Sequence, residues 1–157
     1  MKIEKATFAG GCFWHIQLTF SEIPGVSKTT AGYIGGRLEN PTYKQVSSGK
    51  TGHVEAVEVE YDADKISFDQ LLEKFFEIHD PTSLDAQGPD IGTQYNSVIF
   101  YHSPQQKEKA EQFKEKLIKQ GVKAVTKIIA GGKFYPAENY HQDYLKKNNL
   151  RACGIIK

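Results

Sequence analysis

The stretch Phe8-Ala9-Gly10-Gly11-Cys12-Phe13-Trp14 decides how the N-terminal half of this chain is read. Upstream, Ile3 to Phe8 is strand-like. Downstream, Phe13, Ile16, Phe20 and Ile23 fall on one face of a helix. Gly10-Gly11 lets the backbone turn sharply between the two, so Cys12 is expected at or just before the first helical residue. Free N–H groups and the positive end of the helix dipole gather there and favour a thiolate. The dipole supplies only ~0.3–1 kcal/mol, less than one pKa unit, so other groups must help to activate the thiol. A lone cysteine is as often a small buried hydrophobe. A position after two glycines and before a helix favours a nucleophile.

Composition sets the outer limits. With 157 residues, 39% hydrophobic and 25% charged, the chain is expected to form one soluble globular domain spanning residues 1–157. A net charge of +1 gives no reason to expect a nucleic-acid partner. The N-terminal Met1-Lys-Ile-Glu-Lys5 lacks an apolar core, and no later run approaches the ~18 apolar residues of a membrane span. A cytoplasmic protein without membrane attachment is the expectation. The two cysteines, Cys12 and Cys153, lie nearly the whole chain apart, which is neither a disulfide scaffold nor a zinc-ligand spacing. Reduced thiols and no metal are expected.

Further along, Pro24-Gly25 ends the first helix and Val26 to Ile34 reads as a second strand. The connection from Gly35 to Gly52 is long and rich in Gly, Ser, Thr and Asn, with a short helical turn expected from Pro41, and a connection of that length suggests a functional loop. In the strand His53 to Tyr61, alternation places Val54, Ala56, Glu58 and Glu60 on a wetter face. Glu55 is then the single acid among His53, Val57, Val59 and Tyr61, which turn inward, and desolvation should raise its pKa toward the range of a general acid. A strand-end glutamate that reaches solvent or a lysine is the rival reading. Ser67-Phe-Asp-Gln70 has the capping-box form and opens a helix carrying Phe68, Leu71, Leu72 and Phe75. A turn-rich loop from Thr82 to Thr93, a strand from Gln94 to Tyr101, a charged helix from Ser103-Pro104 to Gly121, a strand from Val122 to Ala130 and a last helix carrying Tyr140 and Tyr144 complete the order. The first six elements match an α+β, ferredoxin-like βαββαβ plan, with helices and a strand added at the C-terminal end.

Several short motifs occur together: Gly11-Cys12-Phe13-Trp14, Asn40-Pro-Thr-Tyr43, Gly52-His53-Val54-Glu55, His79-Asp80-Pro81-Thr82, Gln87 to Tyr95, and Tyr140-His141-Gln142. In this order, from about Ala6 to Cys153, they resemble peptide methionine sulfoxide reductases of the A type. The resemblance implies that Cys12 is the nucleophile, Glu55 the proton donor, Tyr43 and Tyr95 the hydroxyls that hold the sulfoxide oxygen, and Asp90 a loop acid that orients the site. It implies that Phe13 and Trp14 receive the S-methyl group and that Cys153 is a recycling thiol. It also implies the S epimer at sulfur, oxidised proteins and peptides as substrates, thioredoxin or another dithiol such as dithiothreitol as the external reductant, and no bound cofactor; a monomer is the expectation. Two positions depart from the family pattern: His15 stands where glycine is common and Gln17 where glutamate is common. Two other classes remain open on the residues alone. One is an acyl- or thiol-transferase pairing Cys12 with His53 or His141; the other is a redox-sensing or ligand-binding domain whose Cys12 oxidises without turnover.

Overall fold

The first strand and first helix follow the opening motif closely. In the computed structural model, which describes residues 2–149, β1 spans Ile3–Ala9 and α1 spans Phe13–Ser21. Cys12 is the residue immediately before α1, in an extended conformation, and its carbonyl accepts the His15 N–H at 3.2 Å. The chain can reverse there because Gly11 has φ +98°, a region that disfavours a side chain.

β2 is Val26–Ile34, and the long connection after it contains α2, Tyr43–Ser47. Pro41 does not open this helix. Thr42 does, through a capping box with Gln45, and so settles the direction in which Tyr43 leaves the loop. β3, Val54–Asp62, is buried on both faces at its N-terminal half, where Val54, Glu55, Ala56 and Val57 are all buried. Glu58 and Glu60 are half-exposed, as expected. Val54 and Ala56, expected on the same wetter face, are instead buried because Ile34, Val98 and Phe100 pack with them there. α3, Phe68–Glu77, starts at the Ser67–Gln70 capping box.

The Thr82–Thr93 loop holds a small hairpin, β4 Ala86–Gln87 with β5 Asp90–Ile91. The expected strand from Gln94 is shorter at its start: Thr93–Tyr95 is a 3₁₀ turn and β6 runs only Val98–Tyr101. The reason is local, since the Tyr95 N–H closes back on the Gly92 carbonyl at 3.2 Å and leaves no ladder to extend. α4 is Pro104–Lys119. The next expected strand is also shortened, to β7 Lys127–Ala130, because Val125 N–H is taken by the Pro81 carbonyl at 2.7 Å. β8 is Tyr135–Pro136. In place of one last helix there is a 3₁₀ turn, Asn139–His141, and a short α5, Tyr144–Lys147. Asp143 separates them at φ 54°, and the Gln17 side-chain carbonyl captures its N–H at 2.9 Å.

These strands, apart from the β4–β5 hairpin, form one six-stranded sheet in the order β7-β6-β1-β3-β2-β8. It is antiparallel except for the parallel β6–β7 pair. Phe8 of β1 anchors the helical face, with its ring 5.0 Å from Phe20 of α1 and 5.0 Å from Phe75 of α3. Each such buried aromatic stabilises by about 1.5–3 kcal/mol. Phe113 of α4 extends the layer by stacking on Phe76. The opposite face carries a smaller cluster, with Ala9, Ile34, Val54, Ala56, Val98 and Phe100 under the partly buried Phe134. No helix among the described residues is long and apolar enough to cross a membrane.

Candidate active site

The β2–β3 register sets the depth of the site. Tyr33 pairs with Glu55 and Ile34 with Val54, so Glu55 sits one step inside the end of the ladder. Its side chain is 1% exposed, and its Oε1 accepts the Phe13 N–H at 3.2 Å. One of the free N–H groups at the start of α1 therefore goes to Glu55, tying the acid to the turn that holds Cys12. Oε2 has no hydrogen-bond partner among the described residues. Burial pushes the carboxyl up to about 8, with the Phe13 N–H opposing and the charge of Asp90 adding to the rise. Pushed up that far, Glu55 holds its proton at neutral pH. That is the state required of a proton donor.

Tyr43, at the first position of α2, and Tyr95, in the 3₁₀ turn, are half-buried. Burial, with the nearby Glu55 charge, raises the pKa of both, so both remain hydroxyl donors at neutral pH. Tyr95 also joins the turn before Cys12, since its carbonyl accepts the Gly11 N–H at 3.1 Å. Asp90, on β5, is half-buried and its pKa is raised by burial. With Gly10, Cys12, His15, His79 and Gln87 it lines a cleft of about 180 Å³. A side chain at Gly10 would strike the His79 ring at 2.9 Å, so that approach requires glycine.

The aromatic wall is more elaborate than two residues. Phe13 is fully buried and lies 5.6 Å from Tyr33 and 6.4 Å from Tyr43 between ring centroids. Trp14 is partly buried, stacks on Tyr144 at 3.8 Å, and donates its indole N–H to His141 Nδ1 at 2.9 Å. Because indole is only a donor, His141 must carry its proton on Nε2 when neutral. Burial lowers the His141 pKa, with Glu138 opposing, and so favours that neutral form. Its ring is 4.4 Å from Tyr43.

Glu138 is the functional side chain that the sequence did not single out. Its Oε1 accepts the Tyr33 hydroxyl and its Oε2 the Tyr43 N–H, each at 2.9 Å. Burial pushes its pKa up, but hydrogen bonds from the Tyr43 and Glu138 N–H groups and the Tyr33 hydroxyl outweigh this and leave it lowered. The available signal was a carboxylate just before the Tyr140-His141-Gln142 motif. Gln142, the last residue of that motif, has an amide that bridges Ala31, Ala137 and Gln17. Gln17 is fully buried in this amide network and binds the C-terminal segment through Gln142 and the Asp143 N–H. His15 is half-buried beside the Cys12 cleft, and its Nδ1 has no partner among the described residues.

The structure thus gathers Cys12, Phe13, Glu55, Tyr43, Tyr95 and Asp90 around the start of β3 and the start of α1, with Trp14 on the adjoining aromatic wall. Cys153 lies outside the described residues. Of the two histidines in the transferase alternative, His53 has both ring nitrogens occupied, whereas His141 Nε2 has no partner among the described residues. His53 accepts the Gly36 N–H at Nδ1 and bonds the Leu38 carbonyl through Nε2, and His141 Nδ1 is committed to Trp14.

The chain is similar to known proteins over nearly its whole length. Residues 4–157 match the family described as peptide methionine sulfoxide reductase. Peptide methionine sulfoxide reductase MsrA of Methanothermobacter thermautotrophicus is 49% identical over 99% of this chain and 94% of its own length. Among solved structures, Mxr1 from Saccharomyces cerevisiae in reduced form superposes with a TM-score of 0.91 at 36% identity, covering 98% of this chain and 90% of that one. Mxr1 in complex with Trx2 is 25% identical with a TM-score of 0.65, over 91% and 85% of the two chains. On a match that spans nearly its whole length, this chain belongs to the peptide methionine sulfoxide reductase family.

Proposed function

We propose that this protein reduces methionine sulfoxide, the S epimer at sulfur, in oxidised proteins and peptides and as the free amino acid, and so repairs oxidative damage. The observation that carries this reading is Glu55: a buried acid, pushed up to about 8, tied to Phe13 and leaving one oxygen unsatisfied. A sulfoxide is electrophilic at sulfur, but its oxygen leaves poorly unless it is protonated. The site therefore needs a thiolate and a neutral acid at the same pH, two groups with opposed pKa demands.

The Cys12 thiolate attacks the sulfoxide sulfur while Glu55 gives its proton to the oxygen, with the Tyr43 and Tyr95 hydroxyls holding that oxygen and Asp90 orienting the loop. The attack forms an S–S bond. The protonated oxygen then passes to the Cys12 sulfur as the substrate's S–O bond and the new S–S bond break, which releases methionine and leaves Cys12 as a sulfenic acid. Sulfur in the substrate is thus reduced and the thiol is oxidised by two electrons. The Cys153 thiol then condenses with the sulfenic acid, expelling water and forming a Cys12–Cys153 disulfide, which the dithiol of thioredoxin reopens. Thioredoxin is supported by the Trx2 complex of the yeast relative, and the electrons come from this external reductant with no bound cofactor. Phe13 and Trp14 accept the S-methyl group and keep the local dielectric low.

The same reading takes the chain as one domain, a cytoplasmic monomer. Its core β1-α1-β2-β3-α3-β6 is assigned to the ferredoxin-like plait, supported by the strand order β6-β1-β3-β2 and the connection of the parallel β1 and β2 through α1. Turnover of each separated sulfoxide epimer with dithiothreitol tests the function. Methionine is expected from the S epimer alone, and none from Cys12→Ser. Equal turnover of both epimers, or methionine from Cys12→Ser, contradicts the reading.

A further inference from the structure

Beyond the site lies a second, larger pocket, about 880 Å³, in the connection between β2 and β3. Its rim carries Arg37, Lys44 and Lys50, and no carboxylate lines it. Glu39 is close in sequence but is not part of the lining. These three cations form no ion pair among the described residues. Three like charges around one hollow repel each other, an arrangement that an anionic occupant would relieve.

The walls are built rather than loose. His53 holds both sides of the Gly36–Leu38 segment, accepting the Gly36 N–H at 3.1 Å and bonding the Leu38 carbonyl at 2.7 Å. The Arg37 N–H meets the Thr51 carbonyl at 3.2 Å. Backbone approach is so close that a side chain at Gly36 would strike His53 N at 2.4 Å. The Thr42–Gln45 capping box holds the third wall, α2.

Position relates this pocket to the catalytic acid. Gly52, in the wall, precedes Glu55 by three residues, so their Cα atoms are at most ~11 Å apart. Lys44 directly follows Tyr43, about 3.8 Å away between Cα atoms. An extended polypeptide with its sulfoxide at Glu55 and Tyr43 covers such distances in two to four residues, at ~3.3 Å each.

Resting on the reductase reading above, we propose that the Arg37–Lys44–Lys50 pocket binds the side-chain carboxylate of an Asp or Glu lying two to four residues from the methionine sulfoxide in an oxidised polypeptide. The pocket makes the enzyme selective for sulfoxides in acidic sequence contexts, without any role in the chemical step. Exposed charges attract across solvent, so the preference is modest and falls with added salt.

The test compares peptides capped at both ends, each with one S-sulfoxide and either Glu or Gln at the second, third or fourth neighbouring position, together with capped methionine S-sulfoxide amide. For wild type, kcat/KM for the best-placed Glu peptide is expected to exceed that of its Gln twin by about three- to tenfold at low salt, shrinking at high salt. In R37Q/K50Q the two twins should converge, while the capped amino acid is reduced at the wild-type rate. Equal twins in wild type at every position, or a preference that survives in R37Q/K50Q, would overturn the pocket while leaving the reductase in place. Failure of wild type to reduce even the capped amino acid would overturn the reductase reading and the pocket with it.

Discussion

Two carboxyl groups near Tyr43 are held in opposite states. Glu55 comes from the middle of the sheet, receives a single N–H and is pushed up to about 8. Glu138 comes from the C-terminal segment, receives the Tyr33 hydroxyl and the Tyr43 N–H, and has a lowered pKa. Both lose water on folding; the difference is the number of donors that replace it. A carboxyl given too few donors keeps its proton and can deliver it. One given enough becomes a fixed anion that positions its neighbours, here the backbone of α2 and the ring of Tyr33. One polar shell thus yields an acid and an anchor from the same functional group.

The comparison breaks most visibly at Glu55. In Glu55→Gln the amide can still hydrogen-bond the sulfoxide oxygen but cannot protonate it, so single-turnover formation of the Cys12 sulfenic acid should slow by ~10²–10⁴. A fall of less than about threefold would remove acid catalysis from this residue. Trp14→Ala comes next. It deletes the indole donor to His141 and the ring that stacks on Tyr144, proposed above as the wall for the methyl group. A loss of ~10–100-fold in kcat/KM is expected from the missing burial, while alkylation of Cys12 by a small reagent is spared. Equal losses in both assays would point instead to a disturbed Cys12.

Glu138→Ala should act more mildly and through position. It leaves the buried Tyr33 hydroxyl without its acceptor, at a cost of about 1–3 kcal/mol in stability. A rise in KM of a few-fold to about tenfold should accompany it, with the pH profile unchanged, because Tyr43 loses its tether but Glu55 does not. A shifted pH profile in this variant would mean that the two carboxylates are coupled and not separate devices.

The smallest effect is on stability against pH. The folded-state pKa of Glu55 lies above its ordinary value of 4.5, so between 4.5 and about 8 the native state binds more protons than the unfolded chain. Stability should therefore fall as pH rises through that window and level off above it. Glu138, with a lowered pKa, contributes the opposite slope, its stabilisation being lost as pH falls through its folded-state value. Chemical denaturation across pH should show the declining slope flattened in Glu55→Gln and kept in Glu138→Ala.

Much of this was legible because local signals and tertiary demand agree. Gly10-Gly11 before Cys12, the Ser67–Gln70 capping box and the inward placement of Glu55 on an alternating strand each rest on chemistry within a few residues. The shortfalls come where a distant partner decides. Gln94-Tyr95 has strand composition, yet the turn at Gly92 and the bond from Gly11 to Tyr95 take it out of the sheet. The last helix divides at Asp143 because Gln17, 126 positions away, claims its N–H. Glu138 escaped notice for the same reason, since its partners Tyr33 and Tyr43 are 105 and 95 positions distant.

The central claim is that Glu55 is a neutral acid at the moment the thiolate attacks, and the pH dependence of single-turnover methionine release tests it most directly. Wild type should show a rate that declines above about pH 8, where Glu55 gives up its proton. Glu55→Gln should be slow throughout and lack that descending limb. The same limb in Glu55→Gln, or a wild-type rate that stays level well above that pH, would contradict the account.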